Sequence, residues 1–183
     1  MRTEVKLAGF GGQGIILMSV MLANAAGYYE DREIAQTQSY GPEARGGACQ
    51  AAVVISDRLI DYTKCLNPDI FAAMSQEALD KYIGGVDPEK AQIFIDDSLV
   101  KHLPEKIKYL HCIPATQLAE EHCGNKMTAN TLMLAAIIKL TGLISVDALR
   151  TTIKEHLPAK IQTINLKALE VALNYCEKKA STK

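Results

Sequence analysis

The sequence lacks an excess of either charge and lacks a long apolar run. Its 183 residues include 20 Lys and Arg against 21 Asp and Glu, which gives a formal net charge of −1. This near-equality of positive and negative charges argues against strong electrostatic attraction to nucleic acid or to an anionic membrane surface. Because there is no run of about 18 apolar residues and no apolar stretch behind a basic start, we expect neither a membrane span nor a signal peptide.

The sequence also lacks paired cysteines. It has five, an odd number, and they are widely spaced: Cys49, Cys65, Cys112, Cys123 and Cys176. In a chain of this size that spacing predicts reduced thiols in a cytoplasm, and it argues against an iron–sulfur cluster or a structural zinc site held by this chain. If redox chemistry takes place nearby, another polypeptide carries the electrons. No Ser/His/Asp or Cys/His arrangement has local sequence support as a nucleophile.

The composition is that of a globular protein with a full core, since 48% of the residues are hydrophobic and 22% are charged. At about 150 residues per domain, the length predicts a single domain over 1–183. The polar residues 178–183 are predicted to be a frayed end.

Strands alternate with helices along the chain, and the last third is helical. The pattern predicts strands over 4–8, 51–55, 59–62, 70–74, 93–95 and 109–113, and helices over 15–27, 76–83, 115–123, 128–140, 146–156 and 165–178. Ser75 and Ser145 are predicted helix caps, 34–47 an irregular segment, and 51–62 a hairpin turning at 56–58. We therefore expect an α/β fold, a Rossmann-like layered domain with a mixed, mostly parallel sheet and a helical C-terminal part.

A first glycine motif, Gly9-Phe10-Gly11-Gly12-Gln13-Gly14, lies between the first predicted strand and the first predicted helix. This context favours binding of a phosphate, because glycines let the backbone approach a ligand while free N–H groups and the helix dipole attract an anion. The alternative is that the glycines only allow the helix and the strand to pack closely. An NAD site would also need an acidic residue about 20 positions later, at the end of a second strand. Asp31 and Glu33 are near that distance, but the surrounding segment is a poor strand.

A second glycine-rich segment runs from Ser39 to Gly47 and contains Tyr40, Glu43 and Arg45. The guanidinium of Arg45 suits a phosphate or a carboxylate, and Tyr40 offers a face for stacking. These features favour a ligand-binding or subunit-docking loop. The alternative is a solvated turn with a surface ion pair between Glu43 and Arg45.

Two further kinds of polar cluster are interpreted as structural. His111-Cys112 and His122-Cys123 resemble metal-binding pairs, but neighbours on a strand point to opposite faces, so each pair could supply one ligand at best. Asp96-Asp97 follow a predicted strand, where α/β proteins place ligands. We interpret them instead as caps of the following turn together with Ser98.

Four segments together resemble one family. GFGGQG, SYGPEARGG, VVIS and NPDIFAAMSQEALDKY occur in this order between about Val5 and Tyr175. In this combination they resemble the gamma subunit of the 2-oxoacid:ferredoxin oxidoreductases. The wording of the second loop looks most like the 2-oxoglutarate branch, with the 2-oxoisovalerate and pyruvate branches as alternatives.

The resemblance implies a Rossmann-like domain that binds coenzyme A as one subunit of an oxidoreductase complex and is inactive alone. The partners it implies are alpha, beta and in some cases delta subunits. These subunits hold thiamine diphosphate, Mg and iron–sulfur clusters and pass electrons to ferredoxin. Whether the isolated chain forms a homodimer is left open by the sequence. The residues that match the family's two glycine loops, and that we expect to bind coenzyme A, are Gly9, Gly11, Gly12, Gln13, Gly14, Tyr40, Gly41, Pro42, Glu43, Arg45, Gly46 and Gly47. Ala44 stands where several relatives carry a basic or larger residue. The alternatives are a docking subunit without a ligand and a free NAD-binding enzyme.

Overall fold

A six-stranded mixed sheet forms the centre of the protein. The computed structural model describes residues 1–39, 47–104 and 106–181. The strands are β1 (Arg2–Phe10), β2 (Glu33–Gln38), β3 (Ala48–Ser56), β4 (Ile70–Ala73), β5 (Gln92–Asp96) and β6 (Tyr109–Ile113). Their order across the sheet is β2-β3-β1-β4-β5-β6. The pairs β1–β4, β4–β5 and β5–β6 are parallel, whereas β3 is antiparallel to both of its neighbours. The predicted α/β fold with a mixed, mostly parallel sheet is confirmed.

Strand directions bring several chain segments to one edge of the sheet. Because β1, β4, β5 and β6 are parallel, their carboxyl ends lie at the same edge, which we call the carboxyl edge. Strand β3 runs in the opposite direction, so it begins there, and β2, antiparallel to β3, ends there. The segment between β2 and β3 therefore starts and ends beside the loop that follows β1.

Helices cover both faces of the sheet. They are α1 (Ile15–Tyr29), α2 (Gln76–Tyr82), α3 (Ala115–Leu118), α4 (Ala129–Thr141), α5 (Val146–His156) and α6 (Ala159–Ser181). Helices α1, α4, α5 and α6 share one core with Val5 and Leu7 of the central strand, and α2 packs in a second core on the opposite face with Phe71. Every residue of α4 from Ala129 to Ile138 is buried, as its nearly uniform apolar composition predicts. Within the described residues, no helix is both long and apolar enough to cross a membrane.

Two predictions around the second sheet segment are wrong. Residues 33–38 form the edge strand β2 and not an irregular segment. An edge strand pairs on one side only and does not need fully buried residues, and β2 has none. Its sequence therefore lacks the apolar pattern of a buried strand. Residues 59–62 form no strand. Since β3 already pairs with β1 and β2, neither of its sides is free for a hairpin partner, and Leu59 is 77% exposed.

The predicted helix caps are confirmed, and some helix bounds differ. The hydroxyl oxygens of Ser75 and Ser145 each accept a hydrogen bond from the amide three residues later, at the starts of α2 and α5. Helix α6 begins at Ala159, six residues before its predicted start, directly after Pro158, a residue tolerated at a helix start. Residues 119–123, predicted as helix, form a π-helical turn after α3.

Candidate functional site

The two glycine segments meet at the carboxyl edge of the sheet. The first glycine loop, residues 9–14, connects β1 to α1, and the second glycine loop, residues 39–47, connects β2 to β3. The amide of Gly11 donates a hydrogen bond to the carbonyl of Gly47, with an N···O distance of 3.0 Å. The end of the second loop is therefore fixed against the middle of the first.

The glycines of the first loop serve different purposes. A Cβ atom built on Gly9 would lie 2.6 Å from Cδ1 of Ile15, and one on Gly14 would overlap the side-chain amide of Asn130. These two glycines allow close packing, as the packing alternative requires. A Cβ atom on Gly12 would meet no atom within 4 Å, so its φ of +98° is a matter of loop conformation and not of packing. Gly12 is exposed and leaves its backbone open to a ligand.

The N-terminus of α1 points its amides out of the first loop. Gly14 precedes the helix with a left-handed φ of +77°, and no side chain of the described residues caps this end. The first intrahelical bond runs from the amide of Met18 to the carbonyl of Gly14. Amides in the first turn of a 15-residue helix, together with the positive end of its dipole, suit an anionic group.

Gln13 fixes the shape of the first loop. Its side-chain oxygen accepts a hydrogen bond from the amide of Phe10 (2.6 Å), and its side-chain nitrogen donates one to the carbonyl of Met74 (2.8 Å). Met74 follows β4, so Gln13 joins the first loop to the neighbouring parallel strand. Because both polar atoms of this side chain are bonded to the backbone of the protein, Gln13 fixes the shape of the loop and is less available to contact a ligand.

Both ends of the second loop are anchored by side chains. Ser39 exchanges hydrogen bonds with the backbone of Gln50 at the start of the loop. At its end, Glu77 and Tyr82 of α2 hold Ala48: the amide of Ala48 donates to the Glu77 carboxylate (3.3 Å), and the Tyr82 hydroxyl donates to the carbonyl of Ala48 (2.9 Å). Glu77 and Tyr82 were not predicted as site residues, although both belong to the NPDIFAAMSQEALDKY segment. The candidate residues Tyr40, Gly41, Pro42, Glu43, Arg45 and Gly46 lie outside the described residues.

A cavity of about 350 Å³ lies beside the first anchor of the second loop, and its lining is partly polar and partly apolar. Its lining includes the residues Lys6, Lys64, Ser39 and Gln50. The side-chain oxygen of Gln50 is buried and has no hydrogen-bond partner in the described structure.

The acidic residues considered for NAD lie at the wrong edge. Glu33 is the first residue of β2 and pairs in register with Ser56, which in turn pairs with Arg2 at the start of β1. Glu33, and Asp31 just before it, are thus at the end of the sheet opposite to the glycine loops. In a dinucleotide site the acidic residue follows the second strand at the carboxyl edge. The geometry does not support the NAD alternative.

His111, Cys112 and Asp96 each have structural contacts. His111 stacks on Phe94 with ring centroids 4.4 Å apart, whereas Cys112 packs with the core of the opposite face. Asp96 is fully buried and caps the following turn: its carboxylate accepts hydrogen bonds from Ser98 and from Thr116 of α3. In the described parts of the chain, no group of three or more His, Cys, Asp or Glu side chains could hold a metal ion.

Comparisons with known proteins agree on one family. The family model for pyruvate ferredoxin/flavodoxin oxidoreductases matches residues 4–175. The chain is 43% identical over 170 residues to 2-oxoglutarate synthase subunit KorC of Methanocaldococcus jannaschii, covering 92% of this chain and 90% of the relative. Its structure resembles the gamma subunit of a keto/oxoacid ferredoxin oxidoreductase from Geobacter sulfurreducens, with a TM-score of 0.87, 31% identity and coverage of 97% and 98% of the two chains.

A larger enzyme contains the same fold. The 2-oxoglutarate:ferredoxin oxidoreductase of Magnetococcus marinus, solved with 2-oxoglutarate, coenzyme A and succinyl-CoA bound, matches 97% of this chain with a TM-score of 0.84. The match covers 31% of that longer chain, and the sequence identity is 22%. At this identity the likeness concerns the fold.

Proposed function

We propose that this chain, which belongs to the pyruvate ferredoxin/flavodoxin oxidoreductase family, is the gamma subunit of a 2-oxoglutarate:ferredoxin oxidoreductase and that it places coenzyme A in that complex. The observation that carries the proposal is the hydrogen bond between Gly11 and Gly47, because it joins the two glycine loops of the family resemblance into one surface. In this proposal the chain is a single domain that functions in the cytoplasm. Most of its residues support the surface formed by the two loops.

The choice of 2-oxoglutarate rests on the relatives. A relative that is 43% identical along nearly its whole length is named a 2-oxoglutarate synthase subunit. The 2-oxoisovalerate and pyruvate branches are the alternatives, and a ketoisovalerate oxidoreductase subunit is 38% identical to this chain. The complex would convert 2-oxoglutarate, coenzyme A and two oxidised ferredoxins to succinyl-CoA, carbon dioxide, two reduced ferredoxins and a proton, or carry out the reverse.

The residues at the carboxyl edge suit an anionic, phosphate-bearing ligand. The first-turn amides of α1 and the open backbone at Gly12 offer hydrogen bonds there, and the sequence of the second loop supplies one cation, Arg45. Holding coenzyme A by its phosphates at these groups would fix its reach and orientation. Placement of this kind accelerates a reaction by removing the entropy cost of bringing the thiol to its target.

The other cofactors are assigned to the partner subunits. Thiamine diphosphate, with Mg, supplies the decarboxylation chemistry when bound, and iron–sulfur clusters supply the electron transfer to ferredoxin. The described residues of this chain do not fit such a cluster, since their cysteines do not lie in a group of potential metal ligands. The proposal therefore gives this chain binding and orientation and assigns the redox groups to the alpha, beta and delta subunits.

Calorimetric titration and steady-state kinetics test the proposal. Purified complex is titrated with coenzyme A and, in parallel, with NAD, and ferredoxin reduction is measured with 2-oxoglutarate, 2-oxoisovalerate and pyruvate. We expect binding of coenzyme A that weakens in Arg45→Ala, no response to NAD, and the highest kcat/KM with 2-oxoglutarate. Charge reversal in Arg45→Glu should raise the KM for coenzyme A further, and unchanged saturation would refute the role of Arg45.

A docking subunit without a ligand is the second candidate, and one observation weakens it. Helix α4, the apolar helix expected to dock the alpha subunit in that case, is buried inside this chain against α1 and α6. The docking role predicts that substitutions at Arg45 and Gly12 abolish co-purification of the alpha subunit. The ligand role predicts intact assembly with impaired acyl transfer.

A further inference from the structure

We propose that Asn130 is a positioning residue that orients the first glycine loop toward coenzyme A, an inference that rests on the proposed function. Asn130 lies in the first turn of α4 and is 2% exposed. Its side-chain nitrogen donates a hydrogen bond to the carbonyl of Gly14, with an N···O distance of 3.1 Å. A contact between residues 116 positions apart thus joins the helical C-terminal part to the loop that would hold the ligand.

The hydrogen bond from Asn130 controls where a loop amide points. The peptide between Gly14 and Ile15 is planar and trans, so its N–H points away from its carbonyl. The Gly14 carbonyl accepts from the amide of Met18 and from Asn130, and both donors lie on the helix side. The N–H of Ile15 is therefore held outward from the start of α1, in the direction where an anion would bind.

Asn130 also fills the space above Gly14. A Cβ atom on Gly14 would overlap the Asn130 side-chain nitrogen, so the glycine and the asparagine fit each other. Gly14 has a left-handed φ of +77°, a conformation that costs little for glycine. The side chain of Asn130 and the absence of one at Gly14 together define this turn.

The amide of Asn130 is itself held in one orientation. Its oxygen accepts from the amide of Thr131 (2.8 Å), which leaves its nitrogen to face Gly14. The Thr131 hydroxyl in turn donates to Asn165 of α6 (2.5 Å), and all three side chains are buried. Buried polar groups are bonded because an unpaired one is costly, and here the bonds also set direction. Thr131 provides a matched control, since it belongs to the same network but does not contact the loop.

The test compares Asn130→Ala and Asn130→Asp with Thr131→Val in the purified complex. Asn130→Asp keeps the volume but loses the donor, and Thr131→Val keeps the volume but loses its bond to Asn165. For both Asn130 variants we expect the KM for coenzyme A to rise about tenfold, equivalent to about 1.4 kcal/mol, while kcat at saturating coenzyme A stays within about twofold. The KM of Thr131→Val should stay within about twofold of the wild type.

Equal changes in all three variants, or a loss of kcat without a change in KM, would overturn the proposal. If the Asn130 variants do not assemble, hydrogen exchange of the full chain decides: faster exchange at the amides of Gly11 and Met18, with α6 unchanged, supports it, and uniform acceleration rejects it. If the wild-type complex shows no dependence on coenzyme A, the proposed function fails. Hydrogen exchange still reports separately whether Asn130 holds the loop.

Discussion

The same substitution should affect stability differently at two adjacent aspartates at the end of β5. The carboxylate of Asp96 accepts four hydrogen bonds, from the amide and hydroxyl of Ser98 (3.2 and 2.6 Å) and from the amide and hydroxyl of Thr116 (2.9 and 2.5 Å). Asp97 has a buried carboxylate oxygen without a hydrogen-bond partner in the described structure. Burial raises the pKa of its carboxyl above the ordinary 3.8, and the charge of Asp96 adds to that rise.

The number of bonds lost sets the size of each effect. In Asp96→Asn, the new NH₂ group faces two donors and can no longer accept from them. Each bond to a charged acceptor is worth about 1.5–3 kcal/mol, and a hydroxyl can rotate to recover part of the loss, so we expect about 3 kcal/mol lower free energy of unfolding at pH 7. Asp97→Asn removes a charge that its surroundings disfavour. It should lower the free energy of unfolding by less than about 0.5 kcal/mol, or should raise it.

The pH dependence gives the sign of the Asp97 effect. Because its folded-state pKa is raised, ionisation of Asp97 opposes folding, and this penalty is absent below the unfolded value of 3.8 and complete above the folded value. Any advantage of Asp97→Asn should therefore appear as the pH rises through that window. Urea denaturation of the purified chain, followed by circular dichroism at several pH values, measures both variants. A loss below about 1 kcal/mol for Asp96→Asn, or an equal loss for Asp97→Asn, would refute the reasoning.

Two further predictions concern Gln13 and Cys65. Gln13→Ala removes the hydrogen-bond partner of the Phe10 amide and of the Met74 carbonyl and should lower the free energy of unfolding by about 1–3 kcal/mol. The exposed Gln117 is bonded to Glu121 one turn away, and Gln117→Ala should lower the free energy of unfolding by less than about 0.5 kcal/mol. Similar losses in the two variants would contradict this. Burial, together with the charge of Glu4, raises the pKa of the Cys65 thiol to about 12, so at pH 8 its thiolate fraction is about a thousandfold below that of an ordinary thiol. Timed alkylation with mass spectrometry should find Cys65 among the slowest sites, and rapid labelling would show that its thiol is ionised.

Local signals in the sequence were sufficient for most of the fold. Strand β4 is a continuous apolar run, and Ser75 and Ser145 carry the side chains that cap a helix, so these elements could be predicted from short windows. The strand–glycine–helix order of the first motif also placed it at the carboxyl edge. The two glycine loops could be predicted as separate features on this basis.

Features that depend on distant partners could not be predicted in the same way. Strand β2 exists because β3 offers it a free side, and residues 59–62 are not a strand because β3 has no second free side. Asn130 looks like any polar residue at a helix start, and its bond to Gly14 spans 116 positions. Glu77 and Tyr82 act on Ala48 through the packing of α2 against the sheet, which no local pattern encodes.

The thiol of Cys49 lies beside the proposed site, and its burial agrees with a chain that places a reactant without reacting itself. Cys49 pairs in register with Gly9 and follows Gly47 by two positions, so it lies directly behind both glycine loops. Its side chain is buried, and burial raises the pKa of the thiol. Since the thiolate is the nucleophilic form, a protonated and covered Cys49 would not compete with the thiol of coenzyme A for an acyl group. The carboxyl edge thus combines the open backbone at Gly12 with a buried thiol, which agrees with the proposed placing of coenzyme A by this chain.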